Sequence, residues 1–182
     1  MAKNNIKVLG LDLSLTGTGV VILENGKFVK RHLIKSKPSG DLPLSELRRI
    51  KKIVEEIEMI VAEGIPNVAV IEGLAFMVRN ATALVQLSAL NYMVRDMLDR
   101  YKVKFVIVAP TSLKKFITGS GASKKDVMLM ETFKRYGVSI LNDNECDAYG
   151  LAKIGEALFE EKKEKLPIFQ QEVLALLNKQ IK

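Results

Sequence analysis

Three carboxylates in this chain sit where a lone charge is hard to accommodate, and together they suggest one kind of chemistry. Asp12 lies inside the apolar run Lys7-Val8-Leu9-Gly10-Leu11-Asp12-Leu13, which reads as a buried central strand. A carboxylate there must be compensated, either by backbone amides of the following Gly17-Thr18-Gly19 turn or by a metal or phosphate site. Glu72 closes the short apolar strand Val68-Ala69-Val70-Ile71, and Asp147 falls on the same helical face as Leu151, Ile154 and Leu158. Acids at a helix start commonly serve its dipole, which suits Glu145 and does not explain an aspartate on the apolar face. With one histidine, His32, and one cysteine, Cys146, any metal here is oxygen-bound. Carboxylates without imidazole or thiolate select Mg²⁺, with Mn²⁺ as substitute, and two such ions activate water and stabilise a leaving phosphate oxygen.

Lysines accompany the acids. The segment Pro110-Thr111-Ser112-Leu113-Lys114-Lys115-Phe116-Ile117-Thr118-Gly119-Ser120-Gly121-Ala122-Ser123-Lys124-Lys125-Asp126 is a helical turn, a glycine-interrupted loop and the start of another helix near Lys124, with Ser123 and Asp126 as an approximate capping box. Two lysines in a first helical turn oppose the macrodipole at ~0.3–1 kcal/mol each. Such a loop binds phosphate through glycine amides and lysine ammonium groups, and the alternative is an ordinary exposed basic loop.

The elements that must position these groups follow from periodicity. Gly19–Glu24 and Lys27–Lys35 form a hairpin about Asn25-Gly26, giving a three-stranded opening meander. Leu44, Leu47, Ile50, Val54, Ile57 and Val61 mark an amphipathic helix whose basic cluster, Arg48, Arg49, Lys51 and Lys52, is by default a solvated face partnered by Glu55 and Glu56. Strands at Val68–Ile71 and Lys104–Val108 alternate with helices, and a long helix is expected from Val78 to Arg100. The fold class is therefore α/β, a mixed five-stranded sheet with the first three strands antiparallel, the fourth and fifth parallel, and helices flanking it. Right-handed crossovers place the fourth strand beside the first, so Asp12, Glu72 and Asp147 converge.

The 182 residues suit one nuclease-sized domain, expected over 1–160, with a charged linker and a C-terminal helical extension over 161–182 that carries Ile168, Val173, Leu176, Leu177 and Ile181. A net charge of +7 fits a nucleic-acid partner or an anionic surface. No apolar run approaches the ~18 residues of a membrane span, and the N-terminus has no signal-peptide core, so a cytoplasmic, non-membrane protein is expected.

Taken together these features describe a metal-dependent nuclease on a fold resembling RNase H. The blocks Gly10-Leu11-Asp12-Leu13-Ser14-Leu15-Thr16-Gly17-Thr18-Gly19, Ile71-Glu72-Gly73, Pro110 to Lys124 and Asp147-Ala148 resemble RuvC-type Holliday junction resolvases, over roughly Ile6 to Leu158, and the diverged sequence is similar to bacteriophage members. The resemblance implies a homodimer that binds four-way or other branched DNA and nicks it, leaving 5′-phosphate and 3′-hydroxyl ends. It implies that Asp12, Glu72 and Asp147 hold the metal, that Lys124 lies near the scissile phosphate, and that Phe76 stacks on junction bases. Lys114, Lys115, Lys124 and Lys125 are the expected DNA-binding lysines. Gly73-Leu74-Ala75 makes the spacing before Phe76 one residue longer than usual, and Asn144 stands where the family has an acid or histidine. Either Asn144, through its carbonyl, or Asp143 completes the metal set.

Two other classes compete. An actin-like sugar kinase also opens with a strand aspartate and a Gly/Thr hairpin, but it requires a second domain with a second phosphate motif. A non-catalytic branched-DNA-binding module is the alternative that the retained acids argue against. Dimerisation is also expected from the helix near 78–100, whose apolar residues, Leu87 and Leu90 among them, exceed the single stripe that one sheet needs.

Overall fold

A computed structural model describes residues 6–38, 40, 42–74, 81–159 and 165–180. Five strands, β1 (Lys7–Asp12), β2 (Gly17–Glu24), β3 (Lys27–Lys35), β4 (Val68–Glu72) and β5 (Lys104–Val108), form one sheet in the order β3-β2-β1-β4-β5. β1 pairs antiparallel with β2 and parallel with β4, and β5 is parallel to β4. The mixed sheet is as the sequence predicts. Its hairpin turns at Asn25 and Gly26, whose φ values of 52° and 76° are those the Asn-Gly pair tolerates.

Helices α1 (Pro43–Ala62) and α2 (Ala81–Arg100) cover one face, burying Ile50, Ile53, Ile57, Leu90, Val94 and Leu98 against Leu9, Leu11, Val20 and Ile71. Helices α3 (Pro110–Thr118), α4 (Lys125–Tyr136), α5 (Asp143–Leu158) and α6 (Ile168–Leu177) make the second layer, where Phe116, Ile117, Leu151, Ile154 and Val173 pack against Val8, Val21, Val70 and Val106. A short 3₁₀ turn over Asn178–Gln180 follows, and the Gln180 amide bonds both the N–H and the carbonyl of Ile107 on edge strand β5, each at 2.9 Å.

Helix α5 fixes the site. It lies so close on β1 and β2 that a Cβ at Gly10 would stand 2.0 Å from the Ala148 carbonyl oxygen, and one at Gly19 would stand 2.1 Å from that of Asn144. These are backbone obstacles and cannot rotate away. Gly19→Ala is therefore expected to lift the N-terminus of α5 from the sheet, costing ~1–3 kcal/mol of stability and most of the activity. A thermal melt and a cleavage assay on the same preparation check both losses together.

Residues 75–80, among them Phe76 and the expected helix start at Val78, lie outside the described residues, and the helix is described from Ala81. Other local expectations are corrected. Ser123 does not cap α4: its hydroxyl is taken by Thr118 Oγ1 at 2.7 Å and the Ser120 carbonyl at 3.0 Å, and Lys124 stands at the N-cap with no side-chain bond. On α6, Ile168 and Leu176 are exposed, and the buried face is Gln170, Val173, Leu174 and Leu177, which share one helical phase. Leu90 is fully buried beneath α2, so it belongs to this chain's own core and not to an outer face.

Candidate active site

Parallel strands deliver their last residues to one edge of the sheet, and that is where the acids meet. Asp12 ends β1 and Glu72 ends the neighbouring β4, so the two carboxyls arrive side by side. Asp147, one turn into α5, is brought over the same edge by the glycine contacts just described. Gly73 lets the chain leave β4 while its N–H bonds the Val108 carbonyl at 2.8 Å, fixing the strand end that holds Glu72.

The electrostatics are those of acids held out of water. Asp12 is 7% exposed. Burial, followed by the charge of Glu72 and a hydrogen bond to it, pushes the Asp12 carboxyl up to about 8. Protonated, Asp12 donates to Glu72, which is itself raised chiefly by burial and secondarily by Asp147. Asp147 is pushed up to about 7, first by burial and then by the charge of Asp12. No described hydrogen bond joins the Asp12 carboxyl to the Gly17-Thr18-Gly19 amides, though its backbone pairs with Gly19 in the β1–β2 ladder; the described partner of the carboxyl is Glu72. The structural-aspartate alternative therefore lacks its partners among the described residues.

Two cations oppose this negative charge. Lys125 Nζ bonds Asp143 Oδ2 at 3.0 Å, and its charge favours the ionised forms of Asp12, Glu72 and Asp147. That ion pair in turn raises the Lys125 ammonium above its ordinary value. Lys114, on α3, acts in the same direction on Glu72 and Asp147. Lys124, at the N-cap of α4, is exposed, and Lys115 is turned to α6, where it pairs with Glu172 at 2.6 Å.

The loop between α3 and α4 is held by Thr118, whose hydroxyl donates to the Lys114 carbonyl at 2.8 Å and accepts from the Ser120 N–H at 3.1 Å. Gly119 takes the left-handed conformation that ends α3, with φ 89°. On the other side of the acids, Thr18 Oγ1 closes the β1–β2 turn by bonding the Ser14 carbonyl at 2.7 Å and accepting from the Ser14 N–H at 3.1 Å.

Asn144 and Asp143 have separate employments. The Asn144 amide nitrogen donates to the Gly17 carbonyl at 2.7 Å, tying α5 to the β2 turn, whereas Asp143 reaches the acids through Lys125. Glu145, which sequence places off the apolar face, pairs with Arg31 of β3 at 3.7 Å.

Among the described residues no three His, Cys, Asp or Glu side chains are gathered into a ready metal cage. The donor set nevertheless fits a hard cation. Buried Asp12 and half-buried Glu72 are joined by a hydrogen bond, and Asp147 is raised by burial and the charge of Asp12, so a divalent ion entering there would be met by oxygen ligands whose ionised forms the nearby lysines only partly offset.

Sequence reasoning missed the Lys125–Asp143 pair. The signal available was the 3.6-residue phase of α4, which separates Lys124 from Lys125, but the phase is fixed only once the N-cap is known.

Comparison with known proteins gives a consistent result. The family model described as "Crossover junction endodeoxyribonuclease RuvC" matches residues 8–175. A protein of that description from Rickettsia africae is 28% identical over 151 residues, covering 80% of this chain and 93% of its own length. One from Chlorobium chlorochromatii is 32% identical over 123 residues, covering 65% and 62%. Among solved structures, Thermus thermophilus RuvC in complex with Holliday junction substrate shares the fold at a TM-score of 0.69 and 16% identity, covering 81% of this chain and 90% of that one. The yeast mitochondrial Holliday junction resolvase Ydc2 does so at 0.61 and 11% identity, covering 96% and 81%.

Proposed function

We propose, from the premise that the chain belongs to the RuvC family of crossover junction endodeoxyribonucleases, that Asp12, Glu72 and Asp147 form its metal-binding hydrolytic site and that its substrate is four-way or otherwise branched DNA. The observation that carries this reading is the convergence of three carboxyls, Asp12 buried and Glu72 and Asp147 half-buried, each held above its ordinary range, on one sheet edge beside Lys125 and Lys114.

Asp12, Glu72 and Asp147 would hold Mg²⁺, or Mn²⁺ in its place, as two ions per site, with the set completed either by Asn144, whose bond to Gly17 uses the amide nitrogen and leaves Oδ1 for a metal, or by Asp143, whose Oδ2 is paired with Lys125. When bound, the metal supplies a nucleophilic water and charge stabilisation at the leaving oxygen. The residues of this chain do the rest. Lys125 and Lys114 face the phosphate with positive charge. The first-turn N–H groups of α4, which lack a side-chain cap, offer further donors to a non-bridging oxygen. Displacement of the 3′ oxygen at phosphorus by water leaves a 5′-phosphate and a 3′-hydroxyl. Phe76, Lys115 and Lys124 remain proposed DNA contacts around this centre, Phe76 by stacking. The bacteriophage likeness rests on sequence divergence; the two sequence relatives described above, from Rickettsia africae and Chlorobium chlorochromatii, are bacterial.

We propose that the protein works as a homodimer through α2. The face of that helix left outside the core carries Val85, Ala89 and Tyr92, at helical spacing, with Val85 66% and Tyr92 65% exposed and Arg95 stacked 4.8 Å over the Tyr92 ring. Helix α6 covers other ground, packing on α3, α5 and β5. A symmetric contact along Val85–Tyr92 would set two catalytic edges at fixed separation. Val85→Glu is expected to convert a dimer to a monomer in sedimentation and to end paired nicking. A wild type that sediments as a monomer and still makes paired cuts would refute it.

The reading is tested by labelled four-way junction, flap and linear duplex incubated with and without Mg²⁺. Mg²⁺-dependent cutting of branched substrates in preference to duplex is expected. Tight junction binding without cutting under any divalent ion would instead indicate the non-catalytic module.

A further inference from the structure

Helix α1 gathers its cations in one stretch. Arg48, Arg49, Lys51 and Lys52 follow the first-turn acid Glu46 in the N-terminal half, and Glu55, Glu56 and Glu58 occupy the C-terminal half. The i,i+4 acid partners expected for such a cluster are missing among the described residues. Glu56 pairs with His32 and Glu58 with Arg100, while no described ion pair joins Arg48, Lys51 or Lys52 to Glu55 or to any other acid. Lys37, in the loop leading to α1, is likewise exposed and unpaired among the described residues. By contrast Lys30, at the far end of β3, is matched to Glu63.

This unmatched charge lies beside the catalytic edge. Arg49 turns inward from the same stretch of helix, donating to the Leu15 carbonyl and to Ser36 Oγ at 2.9 Å, and Ser36 Oγ donates to that same carbonyl at 2.6 Å. Leu15 belongs to the turn that immediately follows Asp12. The basic half of α1 is thus clamped to the β1–β2 turn next to the acids, with Arg48, Lys51 and Lys52 pointing outward on its exposed face.

We infer that the N-terminal half of α1, with Lys37 ahead of it, is a second phosphate-binding surface that holds a duplex arm of the branched substrate outside the catalytic cleft. Charge complementarity names the occupant: exposed cations without described acid partners, carried by the loop and the first turns of the helix, match the regular phosphate array of a duplex backbone. None of these residues is aromatic, and cations on an exposed helix face that meet a duplex backbone contact phosphates, so the arm is held regardless of sequence. This inference rests on the branched-DNA reading of the site.

The test uses the full-length Arg48→Ala/Lys51→Ala/Lys52→Ala protein, whose substitutions are on exposed helical positions that tolerate alanine. Fluorescence anisotropy over a salt series is run with four-way junctions whose arms are one helical turn or three turns long. On long arms the triple variant is expected to bind ~10-fold or more weakly, with the log–log salt slope reduced by ~2–3, about 0.9 for each phosphate no longer neutralised. The weakening on short arms is expected to be several-fold smaller. An unchanged slope, or an equal weakening on both arm lengths, would overturn the inference. So would weakened binding to vesicles of anionic lipid with junction affinity intact, which would assign the patch to a membrane surface. Failure of the underlying reading looks different, because the wild type itself would then show no preference for junction over linear duplex.

Discussion

Asp12→Asn is expected to reduce cleavage by ~10³-fold or more, the scale on which catalytic constellations fail when one member is removed, while junction binding persists. The substitution keeps the shape of the side chain at the end of β1 and its place beside Glu72, and removes only the ability to ionise. Affinity for DNA comes mainly from lysine and arginine at the surface and is therefore spared. The same variant has a signature that does not depend on activity. The Asp12 carboxyl sits at about 8 in the folded protein against an ordinary 3.8, so the folded state binds a proton that the unfolded state has lost across that interval. Without metal, stability through this group is full below about 4 and is lost as pH rises toward 8. Asparagine cannot titrate. Asp12→Asn is therefore expected to melt higher than wild type at pH 8 in chelator, and to lose the stabilisation that Mg²⁺ gives the wild type. Identical melting curves for the two proteins with and without Mg²⁺ would remove Asp12 from the metal site.

The second large effect is expected at Lys125. Lys125→Ala should lower the rate of cutting at saturating protein by ~10²–10³-fold, in the range seen when one preorganised charge-stabilising group is removed, and weaken junction binding by less than about tenfold. Lys125 is held by Asp143 at 3.0 Å and acts on Asp12, Glu72 and Asp147 together, so on the proposed reading its ammonium would stand where negative charge grows on the phosphate. Lys124, one residue earlier and exposed, is expected to show its effect more in affinity than in rate. Single-turnover kinetics on the two variants separates these roles. A larger fall in rate from Lys124→Ala than from Lys125→Ala would return the phosphate-side role to Lys124.

The parts of this fold that were legible in sequence are those governed by short-range rules. Asn25-Gly26 specifies its turn because both residues accept positive φ, and the apolar runs ending at Asp12 and Glu72 specify adjoining parallel strands because a right-handed crossover leaves few other arrangements. The convergence of Asp12 and Glu72 follows from those two facts, and that of Asp147 from the i,i+4 rule on α5. What was not legible depended on competition between partners. Ser123 has the spacing of a cap, but Thr118 and the Ser120 carbonyl take its hydroxyl, so the first turn of α4 begins at Lys125 and that lysine turns toward the acids. The apolar surplus on α2, Val85 and Ala89 included, is legible in sequence, but which of its residues face outward is not. Leu90 goes to the core, and Val85, Ala89 and Tyr92 form the outer stripe, because the phase of a helix that is apolar on two sides is set by what it packs against. The tight seat of α5 on Gly10 and Gly19 was likewise invisible, since a glycine in a strand does not announce which backbone will approach it.

That these acids form a metal-dependent hydrolytic site for branched DNA is tested most directly by one time course. A four-way junction labelled on each strand in turn is mixed with wild-type protein in chelator, Mg²⁺ is added, and the products are treated with DNA ligase. The expected result is no cutting before Mg²⁺, nicks near the branch point after it, and resealing by ligase, which requires 5′-phosphate and 3′-hydroxyl ends. Cutting that proceeds in chelator, or nicks that ligase cannot close, would contradict it.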